Sequence, residues 1–225
     1  MGVRTMGSGP IALLLIAPAF VLFTLFVVVP VVQAGYYSLF HWNGMGPATD
    51  FRGIGNFVRM VKDDVFQVAL GNNALLIAAS LVVQLPLAFF VALLVGRRRF
   101  PGSLVFRSVF FFPYVLAEIV TGIIWKFIYH PQVGLPTLVA TLFSGEETQI
   151  GLLGDPDRAF SAILVVVVWK YLGFHMILYI AGLQAVPKEL EDAAVVDGAG
   201  KVQVVRHVII PSIRNTIVIS VFLSV

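Results

Sequence analysis

The sequence predicts an all-α integral membrane protein: a multi-span helical bundle with four full spans, the start of a fifth, and a cytoplasmic loop of short helices. Three observations carry this. The 225 residues are 59% apolar and only 12% charged, with a mean hydropathy of +0.94, whereas soluble domains run roughly 45–50% apolar and about 25% charged. A soluble chain of this size buries only about 70–75% of its surface, too little to hide so much apolar area. Finally, charges are sparse in four stretches, each long enough to cross the ~30 Å of bilayer hydrocarbon, which takes about 20 helical residues.

The same composition excludes whole classes of function. A disordered chain would be far more polar. The absence of cysteine removes disulfide scaffolds, thiolate metal sites and thiol catalysis. A formal charge of +3 is too small to point to nucleic acid.

The four spans are residues 11–32, 74–95, 108–129 and 159–183, and the first two carry no charge. The third contains Glu118 and Lys126, and the fourth contains Lys170 and His175. Helices rather than barrel strands are predicted, because none alternates with period two and each must satisfy its own backbone in lipid. Pro18, Pro86 and Pro113 lie inside spans and read as kinks. The first span reads as a retained anchor, because its apolar run exceeds the roughly 7–15 residues of a signal peptide core.

Orientation follows from the short loops. Residues 96–102 include Arg97, Arg98 and Arg99, with Arg107 just beyond and no acid. Residues 130–158 hold Glu146, Glu147, Asp155 and Asp157 against Arg158 alone. The basic loop is therefore cytoplasmic, as are the N-terminus and the segment after span four, while 41–73 and 130–158 are external. A fifth apolar run, 215–225, rises only about 15 Å, half of what a span needs, so the natural protein is expected to continue beyond Val225.

The loop at 184–213 holds the most information. Pro187 suits a helix start, and Glu189, Glu191 and Asp192 follow where the helix dipole favours acids. Leu190, Ala193, Ala194 and Asp197 share one helical face, and Gly198 suits a left-handed stop. A second amphipathic stretch, with Val202, Val205 and Ile209 on its face, runs to Pro211. The pattern alone fits a helix docked in a partner's groove and one lying on the membrane surface equally well.

Here the residues become recognisable. Asp192-Ala193-Ala194, three residues, Gly198, nine residues, then Val208-Ile209-Ile210-Pro211 resembles the Glu-Ala-Ala loop of permease subunits of bacterial ABC importers. Ala193, Ala194, Gly198 and Pro211 match outright; Asp192, Val208 and Ile210 are conservative departures. The run from Phe51 to Phe57, the run from Arg107 to Pro113, the pair Trp169-Lys170 and the run from Ala181 to Pro187 are similar to the carbohydrate-importing branch, the maltose and glycerol-phosphate systems.

The resemblance implies one transmembrane domain over 1–225, with about six spans in the complete protein. It implies a permease that pairs with a second permease to form the path for a sugar or related solute. The 187–211 loop would couple it to a cytoplasmic ATP-binding subunit, present in two copies, and an external solute-binding protein would deliver substrate. Glu191, Asp192, Ala193, Ala194, Asp197, Gly198 and Pro211 would form the ATPase-coupling surface. ATP and magnesium would belong to the ATPase. This chain would be a non-enzymatic subunit of the bacterial inner membrane, in contact with lipid and without catalytic residues, nucleic acid or a metal. No phosphate-binding loop occurs in it.

Ionisable groups inside spans are functional candidates. Glu118 and Lys170 either pair across helices or line a polar cavity, and His175 reads as a buried bundle residue. Lys126 reads as an interfacial anchor. The alternative function is an ion-coupled secondary carrier or channel subunit, which needs a relay of membrane acids. Only Glu118 is available in the spans. A membrane-embedded enzyme would need clustered acids or histidines, which the spans lack.

Overall fold

The computed structural model describes residues 8–96, 102–145 and 149–224, with side chains from Leu15 onward. Arg97–Arg99, Glu146 and Glu147, on which the orientation reading draws, lie outside the described residues. Among the described residues every regular element is a helix, and one isolated bridge pairs Phe40 with Phe51. It divides into two compact units, one ending at Leu70 and one beginning at Gly71.

Among the described residues, three helices have the length and apolarity to cross a membrane: α1 (Leu15–Tyr37), α3 (Asp64–Gly96) and α7 (Pro156–Gln184). Two bent pairs add to them. These are α4 (Ser103–Val115) with α5 (Glu118–Ile128), bent by 101°, and α9 (Lys201–Ser212) with α10 (Arg214–Ser224), bent by 73°. The shorter helices are α2 (Gly55–Val61), α6 (Leu135–Ser144) and α8 (Lys188–Val196).

Prolines explain the departures from regular helix. Proline lacks an N–H and its ring collides with the carbonyl four residues back. One wide turn closes with the Val29 N–H on the Thr24 carbonyl, a second with Leu85 on Ser80, and a third with Ile210 on Val205. Each wide turn ends two residues before a proline: Pro30, Pro86 or Pro211. One extra residue in the turn moves the obstructed carbonyl aside without breaking the helix. Pro113 meets a different outcome. The helix stops at Val115, and Leu116 and Ala117 are extended, with ψ 135° and 146°. The expected continuous span over 108–129 is thus two helices, and Glu118 sits in the first turn of α5 rather than in mid-span.

The first unit is organised around Asn56. Its amide donates to the carbonyls of Ser38 (2.8 Å) and Phe40 (2.7 Å), tying the start of α2 to the chain leaving α1. The Phe40–Phe51 bridge is flanked by His41 N–H on Asp50 and Arg52 N–H on Leu39, both at 2.8 Å. Trp42 stacks on Tyr37 with centroids 4.1 Å apart. Gly53 makes the turn at φ +54°.

The second unit is built on α7. Ala88 and Ala92 of α3, four residues apart and fully buried, pack with Leu172, Met176, Tyr179, Ile180 and Leu183 of α7. Between helices in lipid the hydrophobic drive is weak, so close van der Waals approach has to hold the bundle. Two glycines of α7 permit it. A Cβ on Gly173 would overlap the Phe110 carbonyl of α4, and one on Gly182 would lie 2.8 Å from Thr216 Oγ1 of α10.

Val204, Ile209 and Ile213 complete this core, whereas Val202 is 79% exposed. The expected apolar face of Val202, Val205 and Ile209 is therefore corrected at Val202 alone: Ile209 is buried and Val205 is half-buried against the core. The wide turn before Pro211 puts residues five apart, Val204 and Ile209, on one side, where a regular helix would align residues four apart.

Replacing Gly173 by valine should abolish recovery of a monodisperse protein from detergent, because the obstruction is backbone and cannot yield. Gly182→Ala, facing only a threonine side chain, should lower the unfolding midpoint by an amount worth about 1–3 kcal/mol. Gly71→Ala, with nothing within 4 Å, should be tolerated.

Candidate functional site

Two sets of residues were singled out in the sequence: the loop after α7 and the ionisable groups within spans. The loop forms a helix pair. Pro187 precedes α8, and Glu189 and Glu191 lie in its first turn. The helix ends in a paired carbonyl cap: Ala199 N–H bonds Ala194 O at 2.9 Å, and Gly198 N–H bonds Val195 O at 3.0 Å. Gly198 adopts φ +87°, the left-handed conformation this cap requires. Gly200 N–H then donates to Gln203 Oε1 at 2.7 Å, starting α9.

Asp192, Ala193, Asp197, Gly198 and Pro211 are exposed, while Ala194 and Ala199 are half-buried against the bundle core. Glu191 is half-buried. The expected face of Leu190, Ala193, Ala194 and Asp197 is therefore divided, with Ala194 turned inward. Val195, Val196 and Val202, which the sequence reading did not single out as exposed, add apolar surface at the tip of the pair. A hollow of about 360 Å³ lies between α8 and α9, lined by Ala194, Asp197, Gly198, Gln203, His207 and Val208.

The end of the bundle next to α8 is also organised. Arg107 Nη2 donates to the carbonyls of Gly96 (3.1 Å) and Val95 (3.3 Å), satisfying the last turn of α3 with a cation. A larger hollow, about 860 Å³, touches Gly96, Ser103, Arg107, Gln184, Lys188 and Glu191. It brings the end of α3, the start of α4 and the start of α8 to one end of the bundle. At the opposite end, Tyr129 O–H donates to Ala162 O at 3.1 Å.

Within the spans, Lys170 holds the break between α4 and α5. Its ammonium donates to the Leu116 carbonyl at 2.9 Å, lies 3.4 Å from Thr121 Oγ1, and pairs with Glu118 Oε1 at 2.9 Å. The lysine side chain is 5% exposed and that of Glu118 is 74% exposed. The hydroxyl of Tyr171 also donates to Glu118, at 3.4 Å. The two sequence candidates therefore meet, but unequally: a buried cation satisfies a freed carbonyl, and the carboxylate closes over it from an open surface.

His175 is nearly inaccessible and lies 2.8 Å from Ser220 Oγ of α10 through Nδ1. It joins α7 to α10 and is 1% exposed. Thr121, Tyr171 and Ser220 were missed in the sequence, because a lone hydroxyl in a span carries no signal until its partner is known. Among the described residues, no three histidine, aspartate or glutamate side chains converge as a metal site.

Comparison with known proteins agrees with this architecture. Residues 84–225 match the family described as binding-protein-dependent transport system inner membrane component. The chain is 37% identical over 205 residues to a diacetylchitobiose uptake system permease of Streptomyces coelicolor, covering 87% of this chain and 58% of that protein. It is 33% identical over 212 residues to a probable ABC transporter permease of Bacillus subtilis, covering 94% and 72%. It thus spans between about three-fifths and three-quarters of these relatives' lengths.

Among solved structures, the fold superposes on a bacterial ABC transporter involved in the import of the acidic polysaccharide alginate. The TM-score is 0.79 at 20% identity, over 95% of this chain and 71% of that one. Apolar spans and family together make this a multi-pass membrane protein, and the chain belongs to the inner-membrane components of binding-protein-dependent transport systems.

Proposed function

We propose that the chain is a permease subunit of an ATP-driven importer for a sugar or related solute, coupled to a cytoplasmic ATPase through residues 187–211. The observation that carries the reading is the α8–α9 pair. Asp192 and Ala193 lie exposed on a helix capped at Gly198, at the bundle end where α3, α4 and α7 meet. The relatives' names, among them a diacetylchitobiose permease and a multiple sugar-binding transport permease from Streptococcus mutans, support the substrate class.

In this reading two permeases form the path, two ATP-binding subunits close on ATP and magnesium, and an external solute-binding protein delivers substrate. The chain sits in a bacterial inner membrane with its N-terminus and the 184–213 loop in the cytoplasm. A solved alginate transporter in complex with its periplasmic binding protein, TM-score 0.80 at 19% identity, has the same fold. The chain contributes surfaces rather than chemistry. Glu191 and Asp192 offer charge to the ATPase, and Ala193 permits close approach. Ala194, Gly198 and Pro211 set the shape of the helix pair, and Asp197 lines its hollow. ATP biases the transporter only as far as the ATPase contacts differ between its two states.

Within the spans, Lys170 acts as a structural lock rather than a solute ligand. All three polar contacts of its ammonium go to the break between α4 and α5. Glu118 is the accessible member of the pair. His175 serves as an interhelix tie.

Asp192→Lys should leave the permease in the membrane and abolish ATP-driven uptake by the reconstituted complex. Gly198→Leu should do the same, since a left-handed leucine costs about 1–2 kcal/mol and displaces the helix end. Full uptake by both variants would refute the coupling assignment.

Lys170→Met should lower the stability of the purified complex by about 1.5–3 kcal/mol, the range for hydrogen bonds to a charged group. Glu118→Gln should cost at most about 1 kcal/mol, because an exposed carboxylate gains little from its ion pair. Thermal unfolding in detergent reads both. Equal losses would mean that the ion pair, and not the carbonyl contact, holds the break.

A further inference from the structure

The ten residues of α6 carry an apolar stripe with no partner among the described residues. Leu135, Leu138, Val139, Leu142 and Phe143 recur at i, i+3, i+4, i+7 and i+8, the spacing of one helical face. All five are exposed, Leu142 by 83% and Phe143 by 90%. The helix is inverted relative to a soluble one, because its polar side is the side turned in. Thr137 is buried, donates to the Pro131 carbonyl at 2.9 Å, and accepts from the Ile150 N–H at 3.1 Å. Those two bonds, made to the chain on either side of α6, fix its rotation. The stripe cannot turn inward without breaking both.

We propose that α6 lies along the membrane interface with this stripe inserted among lipid acyl chains. Its position argues for lipid. The helix begins seven residues after the end of α5, and a Cβ at Gly134 would meet the backbone of Ile128 and His130, so the start of α6 is held against the end of a membrane-embedded helix. It ends before α7 enters the bundle at Pro156. Tyr129 O–H on Ala162 O ties those two span ends together, so both ends of the connection leave from the same boundary.

Trp125 packs edge-on against Trp169 and tilted against Tyr129, and aromatic clusters of this kind favour the headgroup level. Exposed Ile123 and Phe127 of α5, then Val133, lead along the chain into the stripe. From Gln132 to Gly145 there is no charged residue. A soluble partner that comes and goes would leave five large apolar side chains in water between visits, whereas the bilayer covers them throughout. An interfacial helix buries its apolar face about 5–10 Å into the boundary, a depth these side chains can reach. The inference holds for either orientation of the chain, and the proposed topology only names the outer leaflet.

These 225 residues contain no cysteine, so once any cysteine elsewhere in the permease is replaced, a single introduced thiol reports on one site. The complete transporter carries Phe143→Cys, with its partner subunits freed of cysteine, and is labelled with an environment-sensitive fluorophore. It is then reconstituted in phosphatidylcholine vesicles. Lipid bearing a nitroxide near the headgroup end of its acyl chain should quench the label at least about twofold more than lipid nitroxide near the chain end or aqueous iodide, as interfacial depth requires. Leu135→Cys, at the other end of the stripe, should give the same ranking and keeps the test decisive if the first variant assembles poorly. Dominant quenching by iodide would place the stripe in water and overturn the proposal. So would protection from all three quenchers, which would mean that a protein partner covers it.

Discussion

Inside a bilayer a broken helix has no water to accept its freed hydrogen-bonding groups, and the second unit of this protein is arranged around one answer to that constraint. The chain stops being helical after Pro113 and turns through 101°. The carbonyl of Leu116 is then met by the ammonium of Lys170, which is 54 residues away in sequence and almost entirely buried. An unpaired lysine there would be costly. A carbonyl, a hydroxyl and a carboxylate together make the site tolerable, and in return the bend between α4 and α5 is fixed to the middle of α7.

Three other prolines solve the same problem locally. The wide turns before Pro30, Pro86 and Pro211 keep the backbone paired by closing over five residues instead of four. That solution needs no distant partner, but it rotates everything downstream by most of a residue. At Pro211 the rotation decides which side of α9 meets the bundle and so how the helix pair stands on the core. Arg107, capping the end of α3, is a third form of the answer: a cation supplied by the next helix to carbonyls that the helix itself cannot satisfy.

Much of this was legible in the sequence wherever the determinants are local. The apolar lengths identified spans one, two and four. Pro187, the acids that follow it and Gly198 marked the start and stop of α8, because caps act over a few residues. What was not legible depends on residues far apart. Pro86 and Pro113 look alike in sequence, yet a wide turn precedes the first and a break follows the second, where Lys170 meets the freed carbonyl from far along the chain. On α9 only Val202 was misplaced, because a regular period was carried through the extra residue before Pro211. α6 passed as external loop, since ten apolar residues are too few to span, and nothing local says that Thr137 rather than Leu138 faces the chain.

The central position of α7 follows from these same contacts. Gly173 receives the backbone of α4, Gly182 receives Thr216 of α10, and His175 between them bonds Ser220. Nine residues, about 13.5 Å of helix, therefore separate the points where the two bent pairs rest on one rod. Only three residues separate that rod from α8. Any displacement of α8 would therefore reach α7 over a short connection, and the Val204, Ile209 and Ile213 packing joins the second bent pair to the same core. At Gly173 the contact is with the backbone of α4, where overlap rises steeply with displacement, so α4 must move with α7 or part from it, whereas at Gly182 a threonine side chain of α10 takes the contact.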